Sequence, residues 1–147
     1  MPVETDTALA RALERVGDRW MLLIVDALLP GPRRFNELAE DVGSSEASPS
    51  NRIAPNILSD RLRRLVAEAI VVARPYSRRP LRYSYELTAN GRELAGVLRL
   101  LAGWAAGTTE ETDALRHADC GTPMEARWYC PTCARIVADD EAELRFI

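Results

Sequence analysis

His117, Cys120, Cys130 and Cys133 are the only imidazole and the only three thiols in this 147-residue chain. Two residues separate His117 from Cys120, two separate Cys130 from Cys133, and nine lie between the pairs. Three thiolates and one imidazole at this spacing are the donor set of a closed, four-coordinate zinc site. "CPTC" and "ADCG" read as two knuckle-like turns, with His117 taking the place of a first cysteine. A site with all four positions filled by protein is structural, and one zinc per chain is expected. Catalytic zinc would need an open position and a separate general base, and no second imidazole exists to serve as one. Thiol oxidoreductase chemistry at Cys130 and Cys133 would need a thioredoxin-like βαβ context, which the pattern lacks. The ligands alone do not distinguish iron from zinc. A segment of about 35 residues cannot bury a stable core unaided, so a metal staple has a physical reason to be there.

The remaining composition narrows the function. Net charge is −3, and all 19 basic residues are Arg. Residues 1–107 carry 15 Arg against 13 acids, whereas residues 108–147 carry 4 Arg against 9. Between Arg52 and Arg82 there are 8 Arg against 2 acids. An acidic tail thus hides a locally basic segment, and local charge is what a phosphate backbone meets. The start, "MPVETDTALA", has no signal-peptide character, and "WMLLIVDALL" is broken by Asp26 and too short to span a bilayer. A cytoplasmic protein with no membrane partner is expected.

Period and punctuation place the elements. Leu9, Ala12, Leu13 and Val16 follow a helical period over residues 7–16. Gly17 breaks that helix, Asp18 can cap the next over residues 19–29, and "PGP" ends it. A short helix is expected over 36–42, a polar loop over 43–52, and a helix opened by Pro55 over 55–69. "IVVARPY" and "LRYSYELT", joined by "SRRP", read as a hairpin. Thr88 can cap a long last helix over 89–106. The expected fold class is mainly α with a small β component: a winged helix-turn-helix domain over 1–107 and a small zinc ribbon over 108–147.

On the helix over 55–69, Leu58, Leu62, Leu65 and Ala69 form one apolar stripe. The opposite side carries Asn56, Asp60, Arg63 and Arg64, flanked by Ser59 and Arg61. Such a helix fits a DNA major groove, and a basic hairpin with Arg74, Arg78, Arg79 and Arg82 follows at once. Asn56, Ser59 and Arg63 are expected at base edges. Arg61, Arg64, Arg78 and Arg79 are expected at phosphates.

"GDRW", "RRFNEL", "LSDRLRRL", "YELTANGREL" and a final Trp104, in this order, strongly resemble the HxlR-type winged-helix transcriptional regulators. The resemblance runs from about Ala8 to Trp104. It implies a homodimer acting on double-stranded DNA at an inverted-repeat operator, with the recognition helix over 55–69 and the wing over 76–82. Many members carry a cysteine just before the first helix, used in some for redox sensing; Thr7 stands near that position here. The loop over 43–52 is longer than the family's usual link. Trp20 matches a family core position. Leu94, Val97, Leu98, Leu100, Leu101 and Trp104 cover more than one helix face, leaving one for a partner subunit, with Leu9, Leu13 and Val16 as the complement.

A transcriptional regulator rather than an enzyme is therefore expected, since no nucleophile–base pair or phosphate loop is visible. The alternatives are a redox- or metal-responsive regulator using the tail site and a protein-interaction adaptor. The residues name no small-molecule effector.

Overall fold

Thr7 opens the first helix by accepting the Ala10 amide on its Oγ1 at 3.0 Å. This is α1 (Ala8–Val16), the start of a computed structural model that describes residues 7–44, 51–106 and 115–137. Asp18 then caps α2 (Arg19–Leu28), its Oδ1 accepting from the amides of Trp20 at 2.9 Å and Met21 at 3.4 Å. Met21, Ile24, Val25 and Leu28 bury one face of α2 at the centre of the domain. A two-residue strand β1 (Arg33–Arg34) leads directly into α3 (Phe35–Asp41). The loop expected over 43–52 lies largely outside the described residues. Pro55 stands in the first turn of α4 (Pro55–Ala67), where its missing N–H costs nothing.

Helix α4 stops before residue 69 for a backbone reason. Ala69 takes a left-handed φ of 54°. The Ala69 amide bonds the Val66 carbonyl and the Ile70 amide bonds the Leu65 carbonyl, each at 3.0 Å. This is a Schellman closure with alanine where glycine is usual. It turns the chain into β2 (Val71–Arg78), which pairs antiparallel with β3 (Leu81–Leu87). The sheet order is β1-β3-β2, with Arg33 opposite Tyr85 and Arg34 opposite Ser84. The register of β2 slips between Pro75 and Ser77, so Tyr76 has no cross-strand partner and forms a bulge.

Thr88 caps α5 (Ala89–Ala106) by accepting the Gly91 amide at 3.0 Å, and its own hydroxyl donates to the Ala69 carbonyl at 2.7 Å. Gly91 is required here: a Cβ at this position would lie 2.2 Å from the Ile70 carbonyl oxygen. One core gathers Met21, Ile24 and Leu28 of α2, Leu38 of α3, Leu58, Leu62 and Leu65 of α4, and Val71 and Leu87 of the sheet. Leu94 and Leu98 pack against it from α5. Beyond them Leu100, Leu101 and Trp104 are exposed. The boundary between the two compact units of the chain falls inside α5, between Leu98 and Arg99. No described helix is long and apolar enough to cross a membrane.

The second unit holds two short hairpins among its described residues. In the first, Arg116 bridges Pro123 and the Met124 amide donates to the Leu115 carbonyl at 2.7 Å. In the second, β4 (Trp128–Cys130) pairs antiparallel with β5 (Arg135–Val137). Of the ribbon expected over 108–147, residues 108–114 and 138–147 lie outside the described residues.

Candidate nucleic-acid interface

The apolar stripe of α4 is buried as its spacing requires: Leu58, Leu62 and Leu65 are each at most 1% exposed. This fixes the rotation of the helix, so the opposite face must carry Asn56, Asp60 and Arg63 outward. Asn56 and Arg63 are exposed and Ser59 is half-buried. Arg63 reaches back one turn, with Nη2 3.5 Å from Ser59 Oγ. The three residues expected at base edges thus share one exposed side of one helix.

The flanking arginines are placed differently. Arg61 donates from Nη2 to Asp18 Oδ2 at 2.9 Å and from Nη1 to Asp60 Oδ2 at 2.5 Å. Asp18 is therefore shared: one oxygen caps α2, the other holds α4. The Arg61 hydrogen bond holds the Asp18 carboxyl below the usual carboxylate range, against the opposing effect of partial burial. Arg64 donates to the Glu14 backbone carbonyl at the end of α1. Arg61 and Arg64, both expected at phosphates, are engaged by the protein itself. No sequence signal marks Asp18 as the partner of Arg61, because 43 positions separate them.

The wing turns at Arg79 and Pro80, with Arg78 and Arg79 exposed. Ser77 Oγ donates to the Pro80 carbonyl at 2.8 Å and closes the turn. Arg74 is tied across the hairpin to Glu86 at 2.7 Å. That leaves Arg78, Arg79 and Arg82 without a carboxylate partner among the described residues. A polar helix front and an arginine-bearing turn in one domain can meet base edges and phosphates respectively.

The tail donors come together in pairs. His117 Nδ1 lies 3.4 Å from Cys120 Sγ, which lies 3.2 Å from Thr122 Oγ1. Hydrogen bonding from the Thr122 hydroxyl and amide holds the Cys120 thiol below its ordinary range. Bonding from the Cys133 amide and thiol lowers Cys130, and the same thiol contact raises Cys133. Each pair sits in the turn of its own hairpin, and the residue after each second cysteine has a left-handed φ: 70° at Gly121 and 51° at Ala134. The two turns are alike in ligand spacing and in backbone sign, which suits a knuckle that points backbone amides at a thiolate. The pairs do not merge: among the described residues no three His, Cys, Asp or Glu side chains converge to hold an ion. A bound zinc would require the two turns to close on each other.

A model of an HxlR-like helix-turn-helix family matches residues 15–113. An HTH-type transcriptional regulator of Mycobacterium tuberculosis, itself uncharacterized, is 36% identical over 134 residues, which span 88% of this chain and 79% of that one. Among solved structures, a candidate transcription factor from Pseudomonas aeruginosa matches with a TM-score of 0.66 at 33% identity, over 95% of this chain and 92% of that one. The redox regulator HypR in its reduced form matches with a TM-score of 0.58 at 26% identity, over 69% of this chain and 93% of that one. These relatives are transcriptional regulators and not enzymes. A helix-turn-helix of α3 and α4, a β2–β3 wing and a matching family model over most of the chain place it together with them: the chain belongs to the HxlR-like helix-turn-helix family of transcriptional regulators.

Proposed function

We propose that the protein binds double-stranded DNA sequence-specifically, as a homodimer on an inverted repeat, with α4 in the major groove. The observation that carries this is the rotation of α4, which buries Leu58, Leu62 and Leu65 and leaves Asn56 and Arg63 exposed. Asn56, Ser59 and Arg63 read base edges, and Arg78 and Arg79 hold phosphates. Arg61 and Arg64 position α4 through Asp18 and the Glu14 carbonyl rather than gripping phosphate. Apolar side chains left exposed on α1 (Leu9, Leu13) and on α5 (Val97, Leu100, Leu101, Trp104) support a second copy as their cover. His117, Cys120, Cys130 and Cys133 hold one structural zinc per chain, supported by the two matching turns. Selection of bound duplexes from a random pool, followed by footprinting, tests the reading. Two protected half-sites about 10–11 base pairs apart are expected. Protection of a single half-site by a monomer would overturn the dimer.

The tail also supports a second reading, a redox- or metal-responsive regulator. Cys120, Cys130 and Cys133 are free thiols, and only Cys130 is more than lightly shielded from solvent. Zinc release under mild peroxide, with a change in DNA affinity, would favour it over a plain staple.

A further inference from the structure

An open cleft of about 500 Å3 lies between the first turn of α3 and the wing. Its chemistry is distinct from the helix front that faces DNA. The guanidinium of Arg34 lies over the ring of Tyr76, 4.6 Å from its centroid. Tyr76 is the bulged residue of β2: Pro75 pairs with Tyr83, Ser77 pairs with Arg82, and Tyr76 pairs with neither. Bulges re-aim a side chain out of the strand register, and this one places a ring against the arginine that precedes α3. Tyr83 and Tyr85 lie on the face of β3 opposite to Arg82 and to Ser84, the residue paired with Arg34, and Tyr85 packs against the core. Both line the cleft with Tyr76, Arg34 and Arg82. Burial raises the Tyr85 phenol, so it stays neutral and able to donate.

Neither Arg34 nor Arg82 has a carboxylate partner among the described residues. The one carboxylate at the cleft, Glu37, is committed: its Oε2 accepts the Arg34 backbone amide at 2.6 Å. Arg34 and Arg82, with the Tyr76 ring under the Arg34 guanidinium, border a cleft of ligand-sized volume and suit a guest that is both flat and anionic. A carboxylate matches the guanidinium fork, and an aromatic body matches the Tyr76 ring.

We propose that this cleft is an effector site for a small planar aromatic carboxylate. The guest's carboxylate meets Arg34 and Arg82, and its ring lies against Tyr76. Occupancy joins α3 to the wing and neutralises Arg82 on the wing that carries Arg78 and Arg79, together with Arg34 of β1. DNA affinity therefore falls when the cleft is filled, and by linkage DNA weakens binding of the effector by the same factor. Only this consequence rests on the DNA-binding reading; binding of the guest does not.

The test uses the full chain and the probe 2-naphthoate, followed by calorimetry without DNA, with neutral 2-naphthol as the comparison. One naphthoate per chain is expected. Arg34→Gln and Arg82→Gln should each weaken it about tenfold, the worth of a charge-assisted contact, while Arg92→Gln on α5 leaves it unchanged. Naphthol should bind at least about tenfold more weakly than naphthoate. Both arginines have exposed side chains, so the variants should fold, which near-UV circular dichroism checks. Absence of saturable naphthoate binding, or binding indifferent to both arginine variants, overturns the proposal. So does the outcome in which both variants weaken DNA binding while naphthoate never binds, since the cleft would then be part of the DNA surface. If naphthoate binds as expected but no duplex is ever bound, the effector site stands and the DNA-binding reading fails.

Discussion

Arg61 and Arg63 lie two apart on the same helix, yet their substitutions should fail in opposite ways. Arg61 is held by Asp18 at 2.9 Å, with only 24% and 26% of the two side chains exposed. A partly shielded, hydrogen-bonded pair is worth about 0.5–1 kcal/mol net, well below its gross Coulomb attraction, because both groups give up water. The Asp18 carboxylate also caps α2, which adds about 1 kcal/mol. Asp18→Asn keeps a competent cap and removes the charge, so it should cost about 0.5–1 kcal/mol, whereas Asp18→Ala should cost about 1.5–2 kcal/mol. At about 4–8 °C of melting temperature per kcal/mol in a domain of this size, both are measurable. Arg61→Ala combined with Asp18→Asn should show coupling of about 0.5–1 kcal/mol. The sign with pH follows from the lowered Asp18 pKa. Its folded value lies below its unfolded value near about 3.9, so the contribution is complete above that pH and is lost as pH falls through the folded pKa. Asp18→Asn should therefore flatten the loss of stability below about pH 4. On DNA, Arg61→Ala should lower affinity through a loosened α4 without changing the salt slope. Zero coupling to Asp18, together with a salt slope reduced as for a wing arginine, would refute the positioning role and restore Arg61 as a phosphate contact.

Three further outcomes follow from single observations. Ala69→Gly should stabilise the domain by about 0.5–1 kcal/mol, since glycine removes the left-handed strain at φ 54° and gives back part of the gain in chain entropy; a thermal melt reads it. Gly91→Ala should destabilise by about 1–3 kcal/mol in denaturant titration, because its Cβ would meet the Ile70 carbonyl oxygen at 2.2 Å. Protein purified without oxygen should hold one zinc per chain by elemental analysis. Cys130→Ser should lose that zinc while the stability of the main transition changes by less than about 0.5 kcal/mol, since among the described residues the buried core side chains lie between Met21 and Leu87.

The helices were legible because their signals are local. Asp18 and Thr88 cap the helices that follow them and the Leu58–Leu62–Leu65 stripe is the buried face, whereas Thr7, read as part of the first helical period, is its N-cap. The end of α4 was less legible: Ala69 continues the apolar stripe in sequence, but its left-handed backbone closes the helix, which alanine gives no reason to expect. Strand β1 was missed because two residues cannot display a period; Arg33 and Arg34 pair only because β3 offers an open edge. Side-chain partners were the least legible. Charge counting treats Arg61, Arg63 and Arg64 alike, whereas the fold spends Arg61 on Asp18 and Arg64 on Glu14, contacts between segments about 45 residues apart. The cleft at Tyr76 had no signal either, since a bulge arises from how two strands pair and not from either strand alone.

The most direct test of the central claim is the salt dependence of affinity for the wild type, Arg63→Ala and Arg79→Ala, on a selected site and on a scrambled duplex. Arg79→Ala should weaken both duplexes alike and lower the slope by about 0.9 for each phosphate that is no longer neutralised. Arg63→Ala should cost about 1–3 kcal/mol on the selected site and little on the scrambled one, and should leave the slope intact. Equal affinity of the wild type for both duplexes, or a wing variant that alters sequence preference while the slope stays fixed, would contradict it.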